Sequence, residues 1–146
     1  MSENASPQAL ADLEDEFGAL WQLTRARARE LAHLLHPRLD PTALPLISAL
    51  GVSGPMRPSE LVRQLHLDAS TVSRQISAAQ RLGLVDRTLD PGDARSRLVD
   101  LTPQAREQFT GYRDQQLGRW RHSVAGWPPG DVERLTELLH RLRQNW

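Results

Sequence analysis

The sequence predicts a mainly α-helical protein with one small β-hairpin. Two short helical patterns, at 58–65 and 69–82, are joined by a tight turn, as in a helix-turn-helix. Two short apolar runs then flank the turn-forming stretch DPGDARS, which indicates a hairpin, or wing. The predicted fold class is therefore a winged helix-turn-helix with N- and C-terminal dimerisation helices. One domain, 1–146, is expected, with dimerisation helices at 7–36 and 103–146 and the winged helix-turn-helix at 40–102.

The composition is that of an ordinary soluble globular protein, with 39% hydrophobic and 25% charged residues among 146. Cysteine is absent, which excludes disulfides and thiolate metal sites. The acidic start, MSENASPQALADLEDEF, does not read as a secretory signal, and no apolar run approaches the ~20 residues of a membrane span. We therefore expect a cytoplasmic protein. Because 18 basic and 18 acidic residues give zero net charge, binding to nucleic acid would depend on where the basic residues lie and not on their total number.

The first helix is predicted at 7–36, because its apolar residues recur in steps of three and four. About 28 helical residues span ~42 Å, which is too long for a small domain of the same chain to cover. One end is therefore expected to pack against another subunit. An apolar stripe at 131–144 predicts the last helix. Packing at a helix–helix interface is the expected role of Trp21, Trp120, Trp127 and Trp146. A solvated helix surface is expected for Arg25, Arg27 and Arg29.

A short second helix is predicted around Ile47, and the turn cluster Gly51 to Pro55 (GVSGP) is expected to end it. Met56-Arg57 is a candidate short strand that could add to the hairpin. Arg57 also occupies the N-cap position of the helix at 58–65, where Ser or Thr would be expected. The start of that helix is therefore predicted to be chemically weaker than usual.

The helix at 69–82 has two distinct faces at ~100° per residue. Val72, Ile76 and Ala79 lie together and face the core, and Asp68 is a good N-cap. The opposite side and its flanks carry small hydroxyls, which allow close approach to DNA, and longer side chains that reach base edges or phosphates. Any exposed helix face is polar, so it is the place in the helix-turn-helix that favours DNA contact. The candidate DNA contacts on this helix are Ser70, Thr71, Ser73, Arg74, Gln75, Ser77 and Arg81.

The hairpin tip at 90–97 carries a second group of candidate DNA contacts, Asp93, Arg95 and Arg97. An arginine at such a tip suits a narrow, electronegative minor groove. Asp93 could hold the Arg95 guanidinium in a bidentate pair and set its direction. The alternative is a solvated hairpin with a local ion pair that contributes little to stability.

Three stretches resemble the multiple antibiotic resistance regulator (MarR) family of winged-helix transcription factors. In this chain, the stretch RPSELVRQLHLDASTVSRQI resembles the family's helix-turn-helix. The stretch RLGLVDR resembles the family's junction into the wing. Its wing motif, Asp-x-Arg followed by Leu-Thr, resembles DPGDARSRLVDLT. The resemblance covers essentially the whole chain in element order. Two departures are Ala79-Gln80, where the family more often has Leu-Glu, and Ala105, which replaces a frequent glycine.

The resemblance implies a homodimer with intertwined N- and C-terminal helices and one winged helix-turn-helix per subunit. It places the helix at 69–82 in the major groove and Arg95, oriented by Asp93, in the minor groove. Two-fold symmetry then implies a pseudo-palindromic operator with half-sites about one helical turn apart. Members are mostly repressors, and many are released from DNA by a small phenolic or lipophilic anion. Since cysteine is absent, the family's oxidation-sensing mechanism is excluded.

An effector site is expected between the end of the first helix, the second helix and the start of the helix after the wing. His33, His36 and Arg38 are the candidate residues for an anionic ligand, and the alternative is that the histidines are surface or capping residues. No cofactor is expected. Metal binding is not supported, because the five histidines are scattered without ligand spacing.

Three function classes compete for this sequence. A dimeric, sequence-specific DNA-binding regulator is favoured. A winged-helix protein–protein module would keep Val72 and Ile76 but would not need Arg74, Arg81 and Arg95 together on one side. An enzyme is disfavoured, because the chain has no nucleophile elbow, phosphate-binding glycine loop or evident pair of inward carboxylates.

Overall fold

The computed structural model describes residues 6–145 and confirms the predicted fold class: helices with one two-stranded antiparallel hairpin. Trp146 lies outside the described residues, so its expected interface role is not addressed. The helices and strands are α1 (Pro7–Leu35), a 3-10 turn (Pro41–Ala43), α2 (Leu44–Ser53), α3 (Pro58–Leu65), α4 (Ala69–Arg81), β1 (Val85–Asp90), β2 (Asp93–Leu101), α5 (Pro103–Val124) and α6 (Asp131–Gln144).

Side chains and prolines at the helix starts explain most of these boundaries. The Ser6 hydroxyl accepts the Ala9 N–H at 3.1 Å, with Pro7 in the first turn of α1. Asp40 accepts the Thr42 N–H at 2.9 Å, and this hydrogen bond lowers the pKa of Asp40. At the other end of α1, the His36 N–H donates to the Ala32 carbonyl at 3.0 Å, and the helix ends at Leu35, one residue before its predicted limit.

Helix α2 ends within the predicted turn cluster, but later than its first residue. Gly51 lies inside the helix, and the chain leaves it only at Gly54, where φ is 81°. A side chain at position 51 would collide with the ring of Phe109 in α5. Gly51 is therefore a close-packing position rather than a turn residue, which corrects the expectation drawn from GVSGP.

The hairpin is regular at its base and irregular at its tip. Val85 pairs with Leu101 and Leu89 with Arg97, and the register then shifts so that Asp90 pairs with Asp93. Met56 adds a single bridge to Val99, with N–H···O distances of 2.9 and 2.8 Å. The predicted short strand at Met56-Arg57 is thus one bridging residue, and it ties the segment before α3 to the wing.

The chain divides into two compact units, one ending at Thr110 and the other beginning at Gly111, inside α5. The first unit holds the core, whose most deeply buried side chains are Leu46, Ile47, Leu50, Leu61, Val72, Ile76, Val85 and Val99. Within 111–145, no side chain is fully buried. The second unit therefore has no closed core of its own among the described residues.

Candidate nucleic-acid interface

Asp68 organises the start of α4 through three hydrogen bonds. Its carboxylate accepts from the Ser70 hydroxyl at 2.5 Å, from the Thr71 hydroxyl at 2.6 Å and from the Thr71 N–H at 2.8 Å. The Ser70 and Thr71 donors hold the pKa of Asp68 well below its usual range. The N-cap expected from the sequence is therefore present, and it also fixes two of the candidate DNA-contacting hydroxyls.

Arg74 is held by the same cluster. Its Nη2 donates to the Thr71 hydroxyl oxygen at 3.0 Å, while that hydroxyl donates to Asp68. The Thr71 hydroxyl thus donates its proton to the Asp68 carboxylate and accepts a hydrogen bond from the Arg74 guanidinium. Arg74 is exposed, so the contact restrains a side chain that remains available to an outside partner.

The other candidate residues of α4 divide by exposure. Ser70, Ser73 and Arg81 are exposed, and Ser77 is half-buried. Gln75 is half-buried, and its Nε2 donates to the Thr42 carbonyl at 3.1 Å. Its buried Oε1 has no hydrogen-bond partner among the described residues. Gln75 is therefore engaged with the 3-10 turn before α2 rather than presented with the DNA-facing side chains.

At the wing, Arg95 and Arg97 are exposed. Asp93 does not form the expected pair with the Arg95 guanidinium; its Oδ1 accepts the Arg95 backbone N–H at 3.0 Å. This hydrogen bond forms an Asx-turn, in which an aspartate side chain accepts the backbone N–H two residues further along the chain. Asp93 consequently shapes the loop that carries Arg95, but it does not form an ion pair with the Arg95 guanidinium.

The wing also contains a contact that the sequence reasoning missed. Arg57 donates from Nε and Nη2 to Oδ2 of Asp90, at 2.7 and 2.5 Å, across 33 positions of the chain. The sequence offers only weak signals for it, namely an arginine at an N-cap position and an aspartate at the start of a turn. The pair joins the first residue before α3 to the tip of β1.

The candidate DNA-facing arginines carry no internal neutralising partner. The ion pairs among residues 6–145 join Arg27 to Glu30, Arg57 to Asp90, Arg106 to Asp100 and Arg134 to Glu137. None involves Arg74, Arg81, Arg95 or Arg97. A chain with zero net charge therefore still presents unneutralised positive charge on α4 and the wing.

The candidate effector residues are not brought together. His33 and Arg38 are exposed, and His36 is half-buried with its Nδ1 accepting the Arg38 N–H at 3.1 Å. This matches the capping role that the sequence left open for His36. A small cavity of about 220 Å³ does include His36, but not His33 or Arg38. Its lining residues are Leu35, His36, Leu82, Gly83, Leu84, Gln104, Ala105 and Gln108.

No group of three or more His, Cys, Asp or Glu side chains in 6–145 is arranged to hold a metal ion. No described helix is long and apolar enough to cross a membrane.

Comparisons with known proteins agree with this geometry. A sequence model described as the MarR family matches residues 39–96, which include the helix-turn-helix and most of the wing. The uncharacterized HTH-type transcriptional regulator YxaD of Bacillus subtilis (strain 168) is 30% identical over 106 residues, covering 73% of this chain and 74% of the relative.

Solved structures show the same fold. A probable transcriptional regulator from Pseudomonas aeruginosa is 30% identical, with a TM-score of 0.55 over 89% of this chain and 98% of that one. Streptococcus pneumoniae FabT, solved in complex with DNA, has a TM-score of 0.77 at 16% identity, over 92% of this chain and 95% of its own.

Proposed function

Because this chain belongs to the MarR family of transcriptional regulators, which are not enzymes, we propose that it binds a pseudo-palindromic DNA operator as a homodimer and represses transcription in the cytoplasm. The observation that carries the proposal is the α4 surface. Asp68 and Thr71 hold an exposed Arg74 at the start of the second helix of a helix-turn-helix. A polar, preorganised helix surface of this kind suits the major groove.

The wing supplies the second DNA contact in this proposal. Arg95 enters the minor groove, where negative potential favours a guanidinium that has no internal partner. Asp93 acts by shaping the loop through the Arg95 N–H rather than by holding the guanidinium. Arg81 and Arg97 are assigned to phosphates, which position the protein without reading sequence.

Dimerisation is supported by the apolar surface that the single chain leaves exposed. Trp21 of α1 and Trp120 of α5 are each 63% exposed, and no side chain of α6 is buried. Several large apolar side chains left in water along a helix mark that helix as an interaction site. We assign these surfaces to contact with a second copy. Exposed apolar residues in them include Leu10, Leu13, Leu20, Leu23, Leu117, Val132, Leu138, Leu139 and Leu142.

Effector control is assigned to the cavity beside His36. Since Nδ1 of His36 accepts a hydrogen bond, Nε2 carries the ring proton in this arrangement and can donate to an anion or phenolate. Gln104 and Gln108 add polar groups to the lining of this cavity. A cavity of about 220 Å³ fits only a small ligand. Ligand binding between the end of α1 and the start of α5 would change how the winged region is held and release the operator.

Selection of bound duplexes from a random library by the purified protein tests DNA binding. We expect the wild type to enrich a pseudo-palindrome and Arg95→Ala to bind it more weakly. Arg29→Ala, which removes an exposed arginine of α1, is the matched control and should bind like the wild type. Small phenols and aromatic carboxylates are then screened for release of the selected operator.

The opposite result favours a different function. If the wild type enriches no sequence even at low salt, the proposed DNA-binding function is wrong. A winged-helix protein–protein module then becomes the better interpretation. Equal operator affinity of the wild type and Arg95→Ala would instead overturn the wing's role alone.

A further inference from the structure

The Arg57–Asp90 pair lies at the one place where the hairpin loses its regular pairing. The register is continuous from Val85 to Leu89 and shifts between Leu89 and Asp90. Beyond that point the strands no longer hold the tip by an uninterrupted ladder of hydrogen bonds. A two-stranded hairpin is marginally stable by itself. The tip that carries Arg95 therefore needs an additional contact to have a defined direction.

Asp90 supplies that contact through both of its oxygens. Oδ1 accepts the Gly92 N–H at 2.8 Å and closes the turn, while Oδ2 accepts both Arg57 bonds. The side chain of Asp90 is only 10% exposed. The Gly92 and Arg57 donors lower the pKa of Asp90, so the carboxylate stays ionised.

The other end of the pair is equally anchored. The Arg57 backbone N–H donates to Oε2 of Glu60 at 2.7 Å, which is the reciprocal half of a capping box. The neighbouring Met56 is bridged to Val99 of β2. Arg57 is thus fixed to α3 through its backbone and reaches the wing through its side chain.

We propose that Arg57 and Asp90 are positioning residues that hold the wing tip against the helix-turn-helix so that Arg95 is presented to the minor groove. This inference rests on the proposed DNA-binding function. Neither side chain has to touch DNA. Their pair fixes the angle between two DNA-contacting elements, which is the geometry that decides whether α4 and Arg95 engage one half-site together.

Direction of the wing tip and stability of the fold depend on different contacts. The Arg57 side chain is 44% exposed, and ion pairs that accessible contribute little to folding. The core beneath the hairpin, formed by Val85, Val99 and Leu101, does not depend on the pair. Loss of the pair should therefore alter DNA recognition at the wing more than it alters the unfolding temperature.

The test compares Arg57→Ala, Asp90→Asn and the double variant on the selected operator. Duplexes that carry A·T or G·C pairs where the wing binds measure minor-groove recognition. Duplexes with base-pair substitutions in the centre of the site measure recognition by α4. We expect each single variant to lose about tenfold in affinity for the A·T duplex. The double variant should lose no more than either single one, because both changes break the same pair. Discrimination at the α4 positions should remain.

Two controls make the result specific. Asp86→Asn changes an exposed carboxylate of β1 and should bind like the wild type. Arg57→Lys keeps a positive charge and should recover part of the lost affinity. Hydrogen exchange without DNA gives a second readout: amides at 90–97 should exchange faster in Asp90→Asn, with the unfolding temperature little changed.

The outcomes distinguish this inference from the proposed function. If the wild type binds the operator and Arg95→Ala weakens it while the Arg57 and Asp90 variants bind normally, the positioning role is wrong and DNA binding stands. Equal losses on A·T and G·C duplexes together with a large fall in unfolding temperature would mean that the pair is merely structural. Absence of wild-type binding would remove both proposals.

Discussion

Thr71 links the helix cap to the guanidinium of Arg74. One hydroxyl donates to Asp68 and accepts from Arg74, so the direction of the arginine depends on how the helix begins. A restrained guanidinium loses less conformational entropy on binding than a free one. This residue-scale arrangement favours base contact over the looser phosphate contact assigned to Arg81.

We predict different effects for the two arginines of α4. If Arg74 pairs with a guanine, Arg74→Ala should cost about 1–3 kcal/mol of operator binding and relax discrimination at one base pair, because a bidentate contact of that kind is worth this much. Arg81→Ala should weaken binding evenly across sequences and reduce the salt slope by about one. Titrations of wild-type and single-substituted operators at several salt concentrations measure both effects. A discrimination change in Arg81→Ala with none in Arg74→Ala would reverse the assignment.

At the scale of the element, α4 is the best-defined piece of the DNA-binding region. Asp68 caps its first turn and Ser70 and Thr71 are fixed to that cap, while Val72, Ile76 and Ala79 are buried on the other side. Gly83, with φ at 71°, lets the chain leave the helix and enter β1. The helix is thus specified at its start, along its buried face and at its end.

The cap predicts a pH dependence of stability. The pKa of Asp68 is lower in the folded protein than in the unfolded chain, so its contribution is present above pH ~4 and is lost as the pH falls toward the folded value. Asp68→Asn should therefore unfold at a lower temperature than the wild type at pH 7, with the gap narrowing below pH 4. Thermal unfolding followed by circular dichroism measures this. A gap that stayed constant across pH would contradict the cap's charge dependence, and Asp86→Asn is the exposed-carboxylate control.

At the scale of the whole molecule, apolar surface is distributed unevenly. The first unit buries a dense aliphatic core, whereas no side chain of α6 is buried in the single chain. The sequence nevertheless places Val132, Leu138 and Leu142 in that helix, at the helical spacing of an interface. In the proposed homodimer, a second copy would remove this surface from water.

We predict that Leu139→Glu weakens the dimer, because Leu139 is 47% exposed in the chain alone and a buried carboxylate at an apolar interface is costly. Size-exclusion chromatography with light scattering should show a dimer mass for the wild type and a shift toward the monomer mass for the variant. Leu89→Glu, on the wing, is the matched control, since Leu89 is 59% exposed but lies outside the proposed interface. A monomeric wild type, or an unchanged mass for Leu139→Glu, would contradict the proposed interface.

The sequence by itself determined the elements and their order. Apolar spacing, prolines at helix starts and the Asp68 cap act locally, so α1, α3, α4 and α6 lie within a residue or so of their predicted limits. The turn residues around Pro91-Gly92 and the wing motif likewise placed the hairpin and its arginines. The family resemblance followed from these stretches and is confirmed.

Only the tertiary structure decided which side chains meet across the chain. Gly51 continues a helix because Phe109 packs on it, Gln75 reaches the Thr42 carbonyl, and Arg57 meets Asp90 over 33 positions. His33 and Arg38 stay outside the small cavity that includes His36. Local patterns reflect backbone preference and burial, which neighbouring residues largely specify. Contacts between distant residues depend on how whole elements pack, and no spacing along the sequence encodes them.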